Sequence, residues 1–168
     1  MRDSVSGNPH ALEAHIWMLH QSFLQRAGRP LISDVASPAD ALRAFSNSAM
    51  AIVSHGTEMD PIFNYGNPTA LNLFEMDWDR FTRTPSRHSA ELPERGERMR
   101  LLNTVSRDGV IHDYSGIRIS ATGRRFRIFH ASVWNLQDNS GNYRGQAAAF
   151  ANWEFLEDDS AQCPNPSS

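Results

Sequence analysis

Residues 126–136, FRIFHASVWNL, constrain this chain more than any other segment. Strict alternation places Phe126, Ile128, His130, Trp134 and Leu136 on one face of a strand, and Phe129, Ala131 and Val133 on the other. A strand that is apolar on both sides belongs in the middle of a sheet with both faces covered. Turn signals bound it on each side. Thr122-Gly123 precedes it, and the polar run Asp138-Asn139-Ser140-Gly141-Asn142 follows. Before the first turn, Ile117 and Ile119 alternate with Arg118 and Ser120; after the second, residues 145–155 run to Phe155. Short turns join antiparallel neighbours, so these three runs form a meander. Ala147, Ala148 and Ala149 in the last run leave room beside the sheet.

Upstream, residues 50–55 form a short β-branched run ending at Gly56, and residues 61–67 supply a second, with Pro61 suited to an edge or a first residue. Asn67 caps a following helix with Pro68 at its first position, and Ala70, Leu71, Leu73 and Phe74 give its buried side. A longer helix spans 94–107. Two helices precede the first strand. Leu12, Ile16, Leu19 and Phe23 recur at helical spacing over 10–26, and Ser37-Pro38-Ala39-Asp40 announces the second. The order predicts an α+β fold: a five-stranded antiparallel sheet with helices on one face and an N-terminal helical extension. The expected segments are a disordered 1–9, N-terminal helices over 10–48, a core over 49–156 and a disordered tail over 157–168.

Composition excludes several classes. The net charge of −3 lacks the basic excess that supplies most affinity for nucleic acid. No window approaches the roughly 18 apolar residues of a membrane span, and residues 1–9 lack the apolar stretch of a signal peptide, so the expected compartment is the cytoplasm. The single cysteine, Cys163, precludes an internal disulfide.

The element order resembles the PAS fold. The strings VSHGTEMDPIFNYGN (53–67), PSRHSAE (85–91), GRRF (123–126), VWNL (133–136) and GQAA (145–148) resemble the MEKHLA family of bacteria. That resemblance covers nearly the whole ordered chain. It implies a PAS-like module that works as a sensor of light, oxygen or redox state, or as a regulator of assembly. It implies output through another protein, because no effector domain accompanies it here.

Several residue sets carry candidate chemistry. Phe63, Tyr65, Phe74, Trp78, Phe126, Trp134 and Phe150 are either core filling or the lining of a ligand pocket, with His130 reaching the same pocket or held as a sheet histidine. His55, Glu58 and Asp60 offer one imidazole and two carboxylates within six residues, the start of a metal site and of an alternative reading as a small metal-dependent enzyme. Arg124, Arg125 and Arg127, with Arg118 across the hairpin, are either a basic patch for an anionic ligand or partner or, the favoured reading, a solvated sheet edge. Haem is disfavoured because 94–107 contains no histidine. A cysteinyl-flavin photoadduct is disfavoured because Cys163 is far from any core helix. A noncovalent flavin or another small ligand stays open. The reading is a sensory or interaction module rather than an enzyme, with Leu12, Ile16, Leu19 and Phe23 as its homodimer or partner face.

Overall fold

The computed structural model describes residues 9–90 and 95–157. Residues 1–8 and 158–168 of the two segments expected to be disordered, and Cys163 with them, lie outside the described residues. The helices are α1 (Pro9–Ala27), α2 (Pro38–Ser46), α3 (Pro68–Phe74), α4 (Trp78–Phe81) and α5 (Arg95–Asp108), with a 3₁₀ turn at Ser86–Ser89. The strands are β1 (Ala51–His55), β2 (Phe63–Gly66), β3 (Val110–Ile119), β4 (Arg125–Gln137), β5 (Tyr143–Phe150) and β6 (Asn152–Phe155). Their order is β2-β1-β5-β4-β3, every neighbour antiparallel, with β6 also on β4. Ser132 pairs with Ala149 and Phe129 with Asn152, so β5 and β6 follow β4 in one register, parted at Ala151.

The central strand does not alternate as its sequence suggests. His130 has φ of 53° and Asp113, on the neighbouring strand, has φ of 63°. Each inserts a residue into its own strand: Tyr114 pairs with Ala131 but Gly116 with Ile128, and Ile111 pairs with Val133. Bulges of this kind reverse which face the following residues occupy. Phe126, Ile128, Ala131 and Val133 therefore share one face, and Trp134 and Leu136 the other. The expected grouping of Phe126 and Ile128 with Trp134 and Leu136 is corrected by this one inserted residue.

The N-terminal extension covers the second face. Ile16, Leu19 and Phe23 of α1, with Ala41 and Phe45 of α2, pack on Ile52, Trp134, Leu136, Ala147 and Ala149. The Trp134 indole is fully buried, meets Phe23 edge-on at 4.9 Å and donates to the Leu19 carbonyl at 3.2 Å. Ser22 clasps the end of β4 by donating to the Gln137 carbonyl and accepting from its amide. This corrects the expected partner face: Ile16, Leu19 and Phe23 are buried within one chain, and Leu12 is partly buried beside them. A fully buried side chain of this size contributes roughly 1.5–3 kcal/mol, so the set is comparable to the roughly 5–15 kcal/mol that holds a whole domain folded. The helix is part of the core.

Two polar groups fix how these layers meet. Asn67 is buried at the start of α3. Its Oδ1 accepts from the amides of Ile52 and Ala70, and its Nδ2 donates to the carbonyls of Phe45 and Met50. One side chain thus caps α3, secures β1 and holds the end of α2. Across the α1 face, Ser54 Oγ donates to Asn64 Oδ1 at 2.5 Å, which leaves His15 Nε2–H to donate to Ser54 at 2.9 Å. Burial lowers the His15 pKa from 6.5 to about 4.

Replacing Asn67 by Leu orphans the groups it serves. Chemical and thermal denaturation are expected to show a loss on the order of 3 kcal/mol and about 10 °C in Tm. For His15, the unfolded chain binds the proton more readily than the folded one between pH 6.5 and 4. Stability therefore falls as pH drops through that window, by on the order of 3 kcal/mol, and levels off below it. The pH profile of His15→Gln is expected to lack that component; a slope equal to the parent's would refute it.

Candidate ligand-binding site

Opposite α1, the sheet, α3, the 3₁₀ turn and α5 line a partly open cavity of about 70 Å³. Val53, Phe63, Phe74, Ile128, Val133 and Phe150 form its apolar wall. Polar groups come from Ser86 and Ser89 in the 3₁₀ turn, His55 at the end of β1, Tyr114 and Arg118 on β3, and Gln146 on β5.

Two glycines make this arrangement possible. Gly145 has φ of +124°, and a Cβ there would lie 2.0 Å from the His55 carbonyl oxygen. Only glycine allows β5 to come this close to the end of β1, and Gln146 follows it into the cavity wall. Tyr114, Gly116 and Arg118 occupy alternate positions on β3. A Cβ on Gly116 would lie 2.4 Å from the Tyr114 hydroxyl. The missing side chain lets Arg118 fold back over the strand, where its Nη2 donates to the Tyr114 hydroxyl at 2.9 Å and its guanidinium lies 5.5 Å from the Tyr114 ring centre. Arg118 also donates to the Ile117 carbonyl. It therefore leaves the basic edge expected for it and turns to the cavity.

Gln146 is 3% exposed. Its Nε2 donates to Asn135 Oδ1 at 2.9 Å, and Asn135 Nδ2 in turn donates to the Val105 carbonyl at the end of α5. This chain fixes the amide's orientation and leaves Gln146 Oε1 buried with no partner among the described residues. A buried acceptor left unpaired costs about 1–3 kcal/mol.

The predicted pocket residues divide among three places. Phe63, Phe74 and Phe150 line the cavity. Phe126 is buried beside it, edge-on to Phe74 at 5.3 Å. Tyr65, Trp78 and Trp134 belong to the α1 side, because a second bulge between β1 and β2 at Ser54/His55 turns Tyr65 away. His130 points outward with its side chain 71% exposed, and its Nδ1 pairs with the Asp113 carboxylate across the paired bulges. The metal set does not assemble. His55 Nδ1 contacts its neighbour's carbonyl on Gly56, Glu58 is exposed, and Asp60 accepts from Arg87 Nε with both oxygens at 3.0 Å. Among the described residues no three His, Cys, Asp or Glu side chains are placed to hold a metal ion.

Tyr114 and Gln146 were not among the predicted site residues, and Arg118 entered only as one member of a basic set. The available signals were the alternating Tyr-x-Gly-x-Arg pattern and a lone amide ahead of an alanine run.

A five-stranded antiparallel sheet in this order, with short helices closing a cavity over one face, defines a PAS-type domain. Solved structures share it. They include the PAS domain of a protein from Colwellia psychrerythraea, with 13% identity, TM-score 0.56, and coverage of 70% of this chain and 95% of that one. The light-state dimer of the fungal photoreceptor Vivid aligns with 12% identity, TM-score 0.54, and coverage of 83% and 93%. An RNA-binding light-oxygen-voltage receptor aligns with 14% identity and TM-score 0.59, over 77% of this chain but 36% of its own. At these identities the likeness is one of fold. The chain belongs to the MEKHLA domain family, whose model matches residues 13–155. Among curated proteins, no sequence match is found. No described helix is long and apolar enough to cross a membrane.

The cavity is about half the ~150 Å³ of an apolar void that accepts benzene, so with its walls in place it suits a slender ligand better than a tricyclic ring.

Proposed function

We propose that this MEKHLA domain is a small-molecule sensor, with the cavity between the sheet and α3 to α5 as its ligand site. The observation that carries the reading is Gln146 on the cavity wall: a buried amide, held in orientation by Asn135, whose Oε1 has no partner among the described residues. A bound donor would supply the missing hydrogen bond.

The route out of the cavity is the sheet itself. Val133 faces the cavity while Trp134, the next residue, anchors α1 on the opposite side. On β5, Gln146 lies on the cavity wall, and Ala147 touches both the cavity and the α1 core. A ligand that favours one setting of β4 and β5 biases the seating of α1, and a partner protein or a second copy reads that bias. Because the apolar stripe of α1 is internal, such a reader engages its outer surface.

Protein purified in native form, then denatured, is expected to release a small organic molecule in near-stoichiometric amount, read by mass spectrometry. If nothing is released, and a broad small-molecule screen leaves the Tm unmoved, the ligand reading is wrong and the domain works through its surface alone.

A further inference from the structure

Several arginines of this protein hold acids. Arg43, Arg87, Arg107 and Arg144 each pair with an aspartate at the surface. Arg118 differs in place and in company. It stands on the cavity wall, and its contacts are a phenol, a ring face and the Ile117 carbonyl, all neutral. Among the described residues lining the cavity there is no carboxylate. Neutral partners offset only part of what a half-buried guanidinium loses in hydration.

The geometry around Arg118 is that of a rim. Tyr114, Gly116 and Arg118 pair with Ala131, Ile128 and Phe126 of β4, and the guanidinium meets the Tyr114 hydroxyl over Gly116, opposite Ile128. Arg118 and Tyr114 are half-buried, whereas Phe74 and Ile128 on the same wall are each 2% exposed. The polar pair therefore stands at the opening, with the apolar wall behind it. A guanidinium has five N–H donors; one goes to the Ile117 carbonyl and one to the Tyr114 oxygen, which leaves others for a ligand. Having accepted from Arg118, the Tyr114 hydroxyl keeps its own proton to donate. Two donor groups thus lie side by side. One fixed positive charge balances one negative charge, which suits a carboxylate better than a phosphate of about −1.5 to −2.

The space behind the rim sets the rest of the molecule. Phe74, Leu101, Ile128 and Val133 offer it no polar side-chain atom. A cavity of about 70 Å³ is about half the ~150 Å³ that accepts benzene, room for a chain of roughly three or four carbons. We propose that the ligand is a short-chain aliphatic monocarboxylate, bound head-out: its carboxylate accepts from Arg118 and from the Tyr114 hydroxyl at the rim, and its chain lies inward along Phe74, Leu101 and Ile128. The assignment rests on the reading of the cavity as a ligand site. It concerns the end remote from Gln146, which sits opposite Asn135.

The test is thermal shift and ligand-observed NMR titration on the dialysed full chain, with butanoate and pentanoate as probes. Butanamide keeps the shape without the charge, and acetate keeps the head without the chain. Butanoate and pentanoate are expected to bind, butanamide at least tenfold more weakly and acetate several-fold more weakly. Arg118→Gln is expected to abolish the preference for acid over amide, and Tyr114→Phe to weaken the acids several-fold. Arg127→Gln, exposed on the other face of the sheet, is expected to change neither. Far-ultraviolet circular dichroism and a cooperative melt establish that each variant is folded. Should Arg118→Gln not fold, Arg118→Lys serves in its place, keeping the charge and losing the fork, with weaker acid binding expected. An amide that binds as well as its acid, or an acid preference that survives in the folded Arg118 variant, overturns the carboxylate assignment and leaves the cavity a ligand site. Absence of binding by every acid overturns it as well; the ligand-site reading then stands or falls on whether the purified protein releases a different molecule.

Discussion

Everything in this fold hangs on the two-sidedness of β4. A strand with Phe126, Ile128, Ala131 and Val133 on one side and Trp134 and Leu136 on the other has to be covered twice. The chain supplies both covers itself. Helices α3 to α5 close one face and the N-terminal α1 and α2 the other. The change of side depends on a single inserted residue, His130, held at positive φ opposite a matching insertion at Asp113. The two bulged residues pair through imidazole and carboxylate on the outside of the sheet, so the irregularity is braced where it occurs. Without that shift Trp134 would point into the cavity, and α1 would lose both its ring contact and its hydrogen bond.

This arrangement gives the sheet two different interiors. The α1 side is densely aromatic and aliphatic, and two polar groups tie it together: Asn67 makes four bonds, and Ser54 is bonded on both sides, while His20 Nδ1 and the Tyr65 hydroxyl are buried without a partner among the described residues. The other side keeps open space, an inward arginine and an unpaired amide oxygen. Interiors close to crystal packing density do not leave such features without a use. In the proposed function the packed side is the output and the open side the input, with β4 and β5 common to both.

Much of the fold was legible in the sequence. Asn67-Pro68 announced the cap that the structure shows, the Thr122-Gly123 and Asp138–Asn142 signals set off β4, and the apolar stripe of α1 was plain. What failed was alternation across irregularities. Period two holds only while pairing is regular, and nothing in FHASVW marks His130 as a bulge, since positive φ at a histidine arises from its partner strand. The same limit misplaced Tyr65 beyond the bulge at Ser54/His55. The stripe Leu12, Ile16, Leu19 and Phe23 was correctly seen as apolar but assigned to another chain, because periodicity reports that a face is buried and not what buries it. Arg118 looked like one of a solvated set; its inward turn follows from the absent side chain at Gly116, a consequence of geometry rather than composition.

The claim on which the account rests is that α1 is an integral cover of the sheet. Amide hydrogen exchange tests it most directly, read at Ile16, Leu19 and Phe23 together with the Trp134 indole N–H. The account predicts that these sites exchange as slowly as the amides of β4 and β5, opening only with global unfolding. Rapid exchange along α1 and at the indole, while the sheet stays protected, would show α1 to be a detachable arm and would contradict the two-faced core.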